Sequence, residues 1–183
     1  YQGLQFDWPD YRRVQEPPEA IRHVRLLSAA LHSMCDFYLG RFLDLMDRYG
    51  LWKDTLLVVC TDHGFLLGEH DWWAKCVQPY YNEVSHTPFF VWDPRSGAAG
   101  ARRKSLVQTI DWAPTLLEFF GVRRPPDMQG AVLRETVAAD KPVREAGLFG
   151  MHGAHVNVTD GRYVYMRGPA AKENRPLFNY THM

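Results

Sequence analysis

The chain has 183 residues, of which 46% are apolar and 14% aromatic, so it can bury a core and is about one domain long. Lys and Arg together number 21, as do Asp and Glu, and this balance argues against a nucleic-acid partner. No apolar run approaches the roughly 18 residues that a membrane span needs. The first residues match neither an initiator Met nor a signal peptide, so we expect a globular chain cut from a longer protein.

The cysteines do not suggest a disulfide framework. Cys35, Cys60 and Cys76 show no paired spacing, and Cys60 lies in a strand that we predict to be buried. This slightly favours a reducing, cytoplasmic location.

A long helix is predicted to follow Pro17 and Pro18, because proline is tolerated in the first turn of a helix and Glu19 favours the helix dipole there. Gly50 is placed to end it. Apolar residues recur at three- and four-residue steps and would form one stripe, which we expect to pack on a sheet. The residues of this stripe are Leu27, Leu31, Met34, Tyr38, Phe42 and Leu45.

The most informative segment is an apolar strand that runs directly into an acid, an imidazole and a glycine. Residues 55–60 are apolar or β-branched, which predicts a strand buried on both faces of a parallel sheet. Such sheets bind ligands beyond the carboxyl ends of their strands, where Asp62 and His63 would lie. Both side chains can reach one divalent cation, and Gly64 lets the backbone turn away. Two ligands do not complete a site, so others must come from elsewhere.

Further elements follow in chain order. Residues 88–92 and 106–110 predict strands, and Asp111 is placed to cap a short helix that Gly121 ends. Residues 146–149, 154–158 and 162–166 predict three short strands, the last two joined by a hairpin turn at 159–161.

Lys75 and His70 are the other two candidate site residues. Lys75 would place a compact positive charge on an anionic substrate oxygen, and the neighbouring aromatic residues would suit a sugar or aryl group. These aromatic residues are Trp72, Trp73, Tyr80 and Tyr81. Other interpretations fit the residues as well: an Asx-type turn with an exposed histidine at 62–64, a surface lysine at 75, and a hydrogen-bonded supporting or core role for His70.

A known family shares this pattern. The segment Thr61-Asp62-His63-Gly64-Phe65-Leu66-Leu67-Gly68-Glu69-His70, with Lys75, resembles the downstream metal-and-anion motif of the sulfatase family in the alkaline phosphatase superfamily. The pattern is most similar to that of the subgroup shared with phosphonate monoester hydrolases. Residues 86–90, 108–117 and 157–163 resemble later segments of the same family.

The resemblance implies an α/β fold, namely the C-terminal part of an alkaline-phosphatase-like sandwich with a mostly parallel sheet flanked by helices and a small C-terminal antiparallel sheet. It places the core in residues 1–122 and a small subdomain in 123–183.

The resemblance also implies roles for the site residues. Asp62 and His63 would bind the active-site cation, with Ca²⁺ first and Mn²⁺ or Mg²⁺ as alternatives. Lys75 would contact the sulfate or phosphoryl oxygens, and His70, at a recurrent family position, is grouped with it as catalytic. Family members use a formylglycine made from cysteine in a Cys-x-Pro/Ala-x-Arg motif, but none of the three cysteines here lies in that motif. The N-terminal strand that would supply two further aspartate ligands is also absent.

The predicted function is therefore that of the C-terminal part of a metal-dependent hydrolase of sulfate esters, inactive alone because it lacks the nucleophile. One alternative is a hydrolase of phosphonate or phosphate esters in the same superfamily, and another is a non-catalytic module that binds a cation or an anion. Missing N-terminal strands would expose an apolar sheet surface, through which a homo-oligomer could form.

Overall fold

The computed structural model describes residues 9–178, and the chain divides into two compact units, Tyr1–Phe90 and Val91–Met183. The helices are Pro18–Tyr49 (α1), Asn82–Ser85 (α2), Trp112–Phe119 (α3) and Arg134–Ala139 (α4). The strands are Leu57–Cys60 (β1), Leu66–Leu67 (β2), Trp73–Ala74 (β3), Phe89–Trp92 (β4), Gly147–Gly150 (β5), Val156–Thr159 (β6) and Val164–Arg167 (β7). Short 3₁₀ helices lie at Leu51–Lys53, Glu69–Asp71 and Thr109–Asp111. Within residues 9–178, no helix is both long and apolar enough to span a membrane.

The predicted long helix is confirmed, and its ends follow from the sequence. Pro17 precedes α1 in an extended conformation, and Gly50 ends it in the left-handed region with φ 62°. The N–H of Gly50 donates to the carbonyl of Asp47 at 3.1 Å, which satisfies one of the carbonyls left open at the helix end.

The predicted packing of the α1 stripe on a sheet is wrong for the part of the chain that the structure describes. All six stripe residues are between 39% and 57% exposed. The buried residues of α1 are instead Ala20, Val24, Ser28 and Met46, and the helix contacts β2. A two-residue strand covers only a short length of a 32-residue helix, so most of the stripe faces solvent.

Strands β2 and β3 form an antiparallel pair that contributes to the core of the first unit. Leu67 lies opposite Trp73, and Leu66 opposite Ala74. Trp73 and Ala74 are fully buried and form a core cluster with Val24 of α1. The partly buried residues around this cluster are Val14, Ile21, Phe65 and Leu67. The pair gives no periodic signal because each strand has only two residues.

The strand before the Asp62 turn is confirmed over Leu57–Cys60, and the strand at 88–92 over Phe89–Trp92. The prediction that the first of these is buried on both faces is wrong. Leu57, Val58 and Val59 are half-buried, and Cys60 is exposed. The reason is that β1 and β4 form a sheet of two strands in the described part of the chain, which leaves these residues only partly covered.

The predicted strand at 106–110 is wrong. Residues 106–108 have no regular structure, and Thr109–Asp111 is a 3₁₀ helix that leads into α3. The backbone N–H of Gln108 donates to the carboxylate of Asp111 at 2.8 Å, one half of a capping box. Such local side-chain bonds compete with sheet pairing. Asp111 precedes α3 as predicted, but its side chain makes no capping bond to that helix.

The second unit contains a three-stranded antiparallel sheet in the order β5, β6, β7. The three predicted strands are confirmed to within two residues of their bounds. Their turn is also confirmed, because Asp160 accepts hydrogen bonds from the backbone of Arg162 at 2.8 Å and of Tyr163 at 2.7 Å. The helix α4 was not predicted.

Candidate functional site

The turn after β1 presents an ionised carboxylate to solvent. Asp62 has a side chain that is 80% exposed. Its Oδ1 accepts hydrogen bonds from the backbone N–H of His63 at 2.9 Å and from the hydroxyl of Thr61 at 3.3 Å. The N–H of His63 is the main cause that lowers the pKa of Asp62, so the group is charged at neutral pH. Its second oxygen, Oδ2, lies 3.1 Å from Nε2 of the His63 ring.

The ring of His63 is oriented for coordination through Nε2. Nδ1 lies 3.0 Å from the carbonyl oxygen of Gly64, which only accepts, so Nδ1 donates to it. This bond turns Nε2 towards the carboxylate of Asp62, where it lies 3.1 Å from Oδ2, and the ammonium of Lys75 contacts the same nitrogen. A metal cation here would take the lone pair of a deprotonated Nε2 together with Oδ2, because histidines that bind metals donate through their other ring nitrogen.

The residues on either side of Lys75 both have a strained backbone conformation. Ala74 has φ 67° and Cys76 has φ 82°, in the left-handed region that residues with a Cβ rarely adopt. Ala74 is fully buried, and its carbonyl accepts a hydrogen bond from the side chain of Gln78 at 3.0 Å. Strain of this kind persists only where surrounding contacts over-determine it, and it clusters at functional sites.

Gly64 is required by the close approach of α2. Its N–H donates to the carbonyl of Val84 at 2.8 Å. A Cβ at this position would overlap the carbonyl group of Glu83. The glycine therefore permits the turn that the sequence predicted and also lets α2 pack against it.

His70 lies against a different set of residues. Its ring stacks on Tyr81 with 3.9 Å between centroids, and its Nε2 lies 3.1 Å from Glu83. The structure thus brings Asp62, His63 and Lys75 together, while His70 contacts α2 and the residue before it. The contribution of Glu83 was missed because it lies 13 residues from His70 and carries no local signal.

The aromatic residues near Lys75 do not form one exposed surface. Trp73 is fully buried, and its ring N–H donates to Glu16 at 2.6 Å, so it is not part of an exposed aromatic cluster. Trp72 holds the guanidinium of Arg13 at 4.4 Å from the ring centroid. These two residues stabilise the segment that leads to Lys75.

The donor set fits a divalent cation in kind. Asp62 offers a carboxylate oxygen and His63 an imidazole nitrogen. Mn²⁺ accepts both kinds of ligand, whereas Ca²⁺ prefers the oxygen. Among residues 9–178, no group of three or more His, Cys, Asp and Glu side chains is arranged to hold one metal ion. The pair can therefore supply two ligands, and the remaining ligands would have to come from elsewhere.

The comparisons with known proteins agree with this arrangement. Residues 6–122 match the model of the Sulfatase family, which is more than half of the chain. The chain belongs to the sulfatase family. This family is part of the alkaline phosphatase superfamily, as the resemblance implied.

Two curated relatives show how much of a sulfatase the chain covers. It is 36% identical over 99 residues to the N-acetylglucosamine-6-O-sulfatase of Bacteroides thetaiotaomicron, which is 54% of this chain and 17% of the relative. It is 32% identical over 123 residues to the multifunctional alkaline phosphatase superfamily protein PehA of Trinickia caryophylli, which is 67% of this chain and 24% of the relative. The chain thus spans a quarter or less of these relatives.

Solved structures confirm the predicted fold class. BT4656, solved with its substrate D-glucosamine-2-N,6-O-disulfate, matches with a TM-score of 0.65 and 28% identity over 74% of this chain and 29% of that one. The phosphonate monoester hydrolase SpPMH of Silicibacter pomeroyi matches with a TM-score of 0.75 and 23% identity over 85% of this chain and 34% of that one. The second likeness shows the fold alone. The α/β, alkaline-phosphatase-like class is therefore established.

Proposed function

We propose that this chain carries part of the active site of a metal-dependent sulfatase that hydrolyses sulfate esters. Asp62 and His63 bind a divalent cation, with Ca²⁺ as the first candidate and Mn²⁺ or Mg²⁺ as alternatives, and Lys75 binds the sulfate group. The observation that carries this proposal is the convergence of three groups: Oδ2 of Asp62 and Nε2 of His63 lie 3.1 Å apart, and Nζ of Lys75 contacts the same Nε2.

Each residue has a definite task in this proposal. A bound cation would supply positive charge that polarises a sulfate oxygen. Asp62 stays ionised because the N–H of His63 stabilises the charged carboxylate. His63 would bind the cation through Nε2, while its Nδ1 donates to the carbonyl of Gly64 and fixes the orientation of the ring. Lys75 donates from a strongly hydrated, compact ammonium to an anionic oxygen, and it is held in place by the strained residues on either side.

Sulfate esters are favoured as the substrate class by the names of the relatives. One curated relative is an N-acetylglucosamine-6-O-sulfatase, and BT4656 was solved with a disulfated glucosamine as its substrate. The likeness to the phosphonate monoester hydrolase falls at 23% identity and supports the fold, not the substrate. We also propose that residues 1–122 form the sulfatase core and 123–183 a small subdomain, which is supported by the end of the family match at residue 122.

The nucleophile of the reaction is expected outside this chain. None of Cys35, Cys60 and Cys76 lies in a Cys-x-Pro/Ala-x-Arg motif, so no formylglycine can form here by the family's route. The 183-residue chain should hydrolyse neither an aryl sulfate nor an aryl phosphonate above the rate of its own Asp62→Asn variant. Turnover by the chain alone would contradict this. A coding sequence that extends upstream without the motif would favour a non-catalytic binding module instead.

Cation binding by the 183-residue chain tests the proposal directly. Ca²⁺, Mn²⁺ and Mg²⁺ are titrated calorimetrically into the wild type, Asp62→Asn and His63→Gln. Loss of one of only two protein ligands should weaken binding at least about tenfold, since affinity follows the number and charge of the ligands. Asp160→Asn is the matched control, because Asp160 is likewise an exposed acid that accepts backbone hydrogen bonds in its own turn. Equal affinities in all four proteins, or no binding at all, would contradict the proposal.

A further inference from the structure

His70 has its ring face and one ring nitrogen engaged by two residues of a neighbouring segment. The ring stacks on Tyr81 with centroids 3.9 Å apart and 11° between the planes. Nε2 lies 3.1 and 3.3 Å from the two carboxylate oxygens of Glu83. A carboxylate only accepts, so Nε2 carries a proton and donates. A ring held in this way has one fixed orientation.

The backbone of Glu83 lies against the turn that carries the proposed cation ligands. Its carbonyl occupies the space that a Cβ at position 64 would need, and the next carbonyl, of Val84, accepts the hydrogen bond of the Gly64 N–H. Both residues belong to α2, which has four residues and is too short to be stable through its own hydrogen bonds. The position of α2 therefore depends on its side chains: Val84 is buried, and Glu83 is held by His70.

His70 also belongs to the segment that leads to Lys75, which lies five residues downstream. Its own φ is 55°, so its backbone adopts the left-handed conformation that residues with a Cβ rarely use. The segment is fixed on both sides of His70: the N–H of Trp72 donates to the carbonyl of Glu69, and the N–H of Val14 donates to the carbonyl of Asp71, each at 3.0 Å. His70 therefore joins a rigid segment to the short helix that supports the Asp62 turn.

We propose that His70, Tyr81 and Glu83 form a clamp that holds α2 against Gly64 and so sets the position of the Asp62-His63 turn relative to Lys75. His70 is then a positioning residue that acts through Glu83, and not a group that touches the substrate. Of the catalytic, supporting and core roles that the sequence left open for His70, this is the hydrogen-bonded supporting one. The purpose of the clamp rests on the proposed function, since it matters for chemistry only if Asp62 and His63 bind a cation.

Amide hydrogen exchange at Gly64 in the 183-residue chain tests the clamp without any metal. His70→Ala and Glu83→Ala should each accelerate exchange of the Gly64 N–H about tenfold, because its acceptor on α2 is less firmly held. Glu83→Gln keeps an acceptor for Nε2 and should stay near the wild type. Glu135→Ala, at an exposed glutamate of α4 in the other unit, is the matched control. Unchanged exchange in both alanine variants would overturn the clamp.

Mn²⁺ affinity shows whether the clamp positions the cation ligands. His70→Ala and Glu83→Ala should weaken Mn²⁺ binding by about 10–100-fold, the range typical of residues that orient metal ligands, at an unchanged urea midpoint. Equal Mn²⁺ affinity in wild type and variants would overturn the positioning role and leave the proposed function intact. If the wild type bound no Mn²⁺, the proposed function would be contradicted. Faster exchange of the Gly64 N–H in the variants would still support the clamp in that case. Should the alanine variants unfold, Tyr81→Leu removes the stack alone, and unchanged Gly64 exchange in it would overturn the clamp.

Discussion

The turn at Asp62 and the junction at Asp111 each present a carboxylate with a lowered pKa, but the two carboxylates have opposite surroundings. Asp111 is fully buried. Burial raises its pKa, and hydrogen bonds from Arg144 and from the backbone of Ala131 and Gln108 outweigh that effect. Both oxygens of Asp111 accept two hydrogen bonds each, which uses its full capacity as an acceptor.

Asp62 keeps capacity for a further partner. Oδ1 accepts bonds from Thr61 and His63, whereas Oδ2 has the Nε2 of His63 beside it, and the side chain is 80% exposed. The difference separates a structural acid, which is satisfied within its own unit, from an acid that is available to a ligand. The pKa direction alone would not have separated them.

The largest expected effect is at the buried pair. Arg144→Met leaves the carboxylate of Asp111 buried without its charged partner, which should lower the free energy of unfolding by about 3–5 kcal/mol. Asp62→Asn should lower the free energy of unfolding far less, since the side chain is exposed and the amide oxygen of asparagine can still accept the hydrogen bond from the N–H of His63. Urea unfolding of both variants measures the contrast. If Arg144→Met lost no more stability than Asp62→Asn, the distinction between the two acids would fail.

A smaller effect is expected at the glycine that supports the Asp62 turn. Gly64→Ala forces a Cβ onto the carbonyl of Glu83 and should cost about 1–3 kcal/mol, as overpacking does. Gly40→Ala is the matched control, because Gly40 lies inside α1 with no atom within 4 Å of a new Cβ. That control should stabilise the chain by about 0.5–1 kcal/mol. Thermal unfolding compares the two, and a Gly64→Ala variant as stable as Gly40→Ala would contradict the close packing.

The smallest effect is the dependence of stability on pH that Asp111 contributes. Its folded pKa lies below the unfolded value of about 3.9. Its contribution is therefore complete above the unfolded pKa and is lost as the pH falls through the folded pKa. Urea midpoints measured from pH 6 to pH 2 should fall less steeply in Asp111→Asn than in the wild type. Equal slopes would show that Asp111 titrates alike in the folded and unfolded chains.

The sequence predicted those elements whose signals are local. Pro17 and Gly50 mark the ends of α1 because one has a fixed φ and the other reaches the left-handed region without strain. The exposure of the α1 stripe could not be predicted, since it depends on what packs against the helix. The strand at 106–110 failed for another reason: the hydrogen bond between Gln108 and Asp111 draws the backbone into a 3₁₀ turn.

The candidate site was predicted in part. Asp62 and His63 are adjacent in the chain, so their placement after β1 follows from the strand itself. The approach of Lys75 to His63 depends on left-handed residues at Ala74 and Cys76, which no residue type there indicates. The contact between His70 and Glu83 could not be predicted either, because the two residues are 13 positions apart and only the fold brings them together.

Self-association through an exposed apolar sheet surface stays a prediction. Phe90 of β4 is an exposed apolar residue on a strand in the described part of the chain. Sedimentation of the wild type and of Phe90→Glu at several concentrations tests it. A concentration-independent monomer in the wild type would contradict it.

Paramagnetic broadening by Mn²⁺ tests the central claim most directly, because it reports where on the chain a cation sits. Substoichiometric Mn²⁺ is added to the ¹⁵N-labelled 183-residue chain, and the loss of amide signals is followed along the sequence. Our account predicts that the signals of Asp62, His63, Gly64 and Lys75 broaden first and that Asp62→Asn abolishes this. Broadening centred on other acids, or broadening at Asp62 that persists in Asp62→Asn, would contradict it.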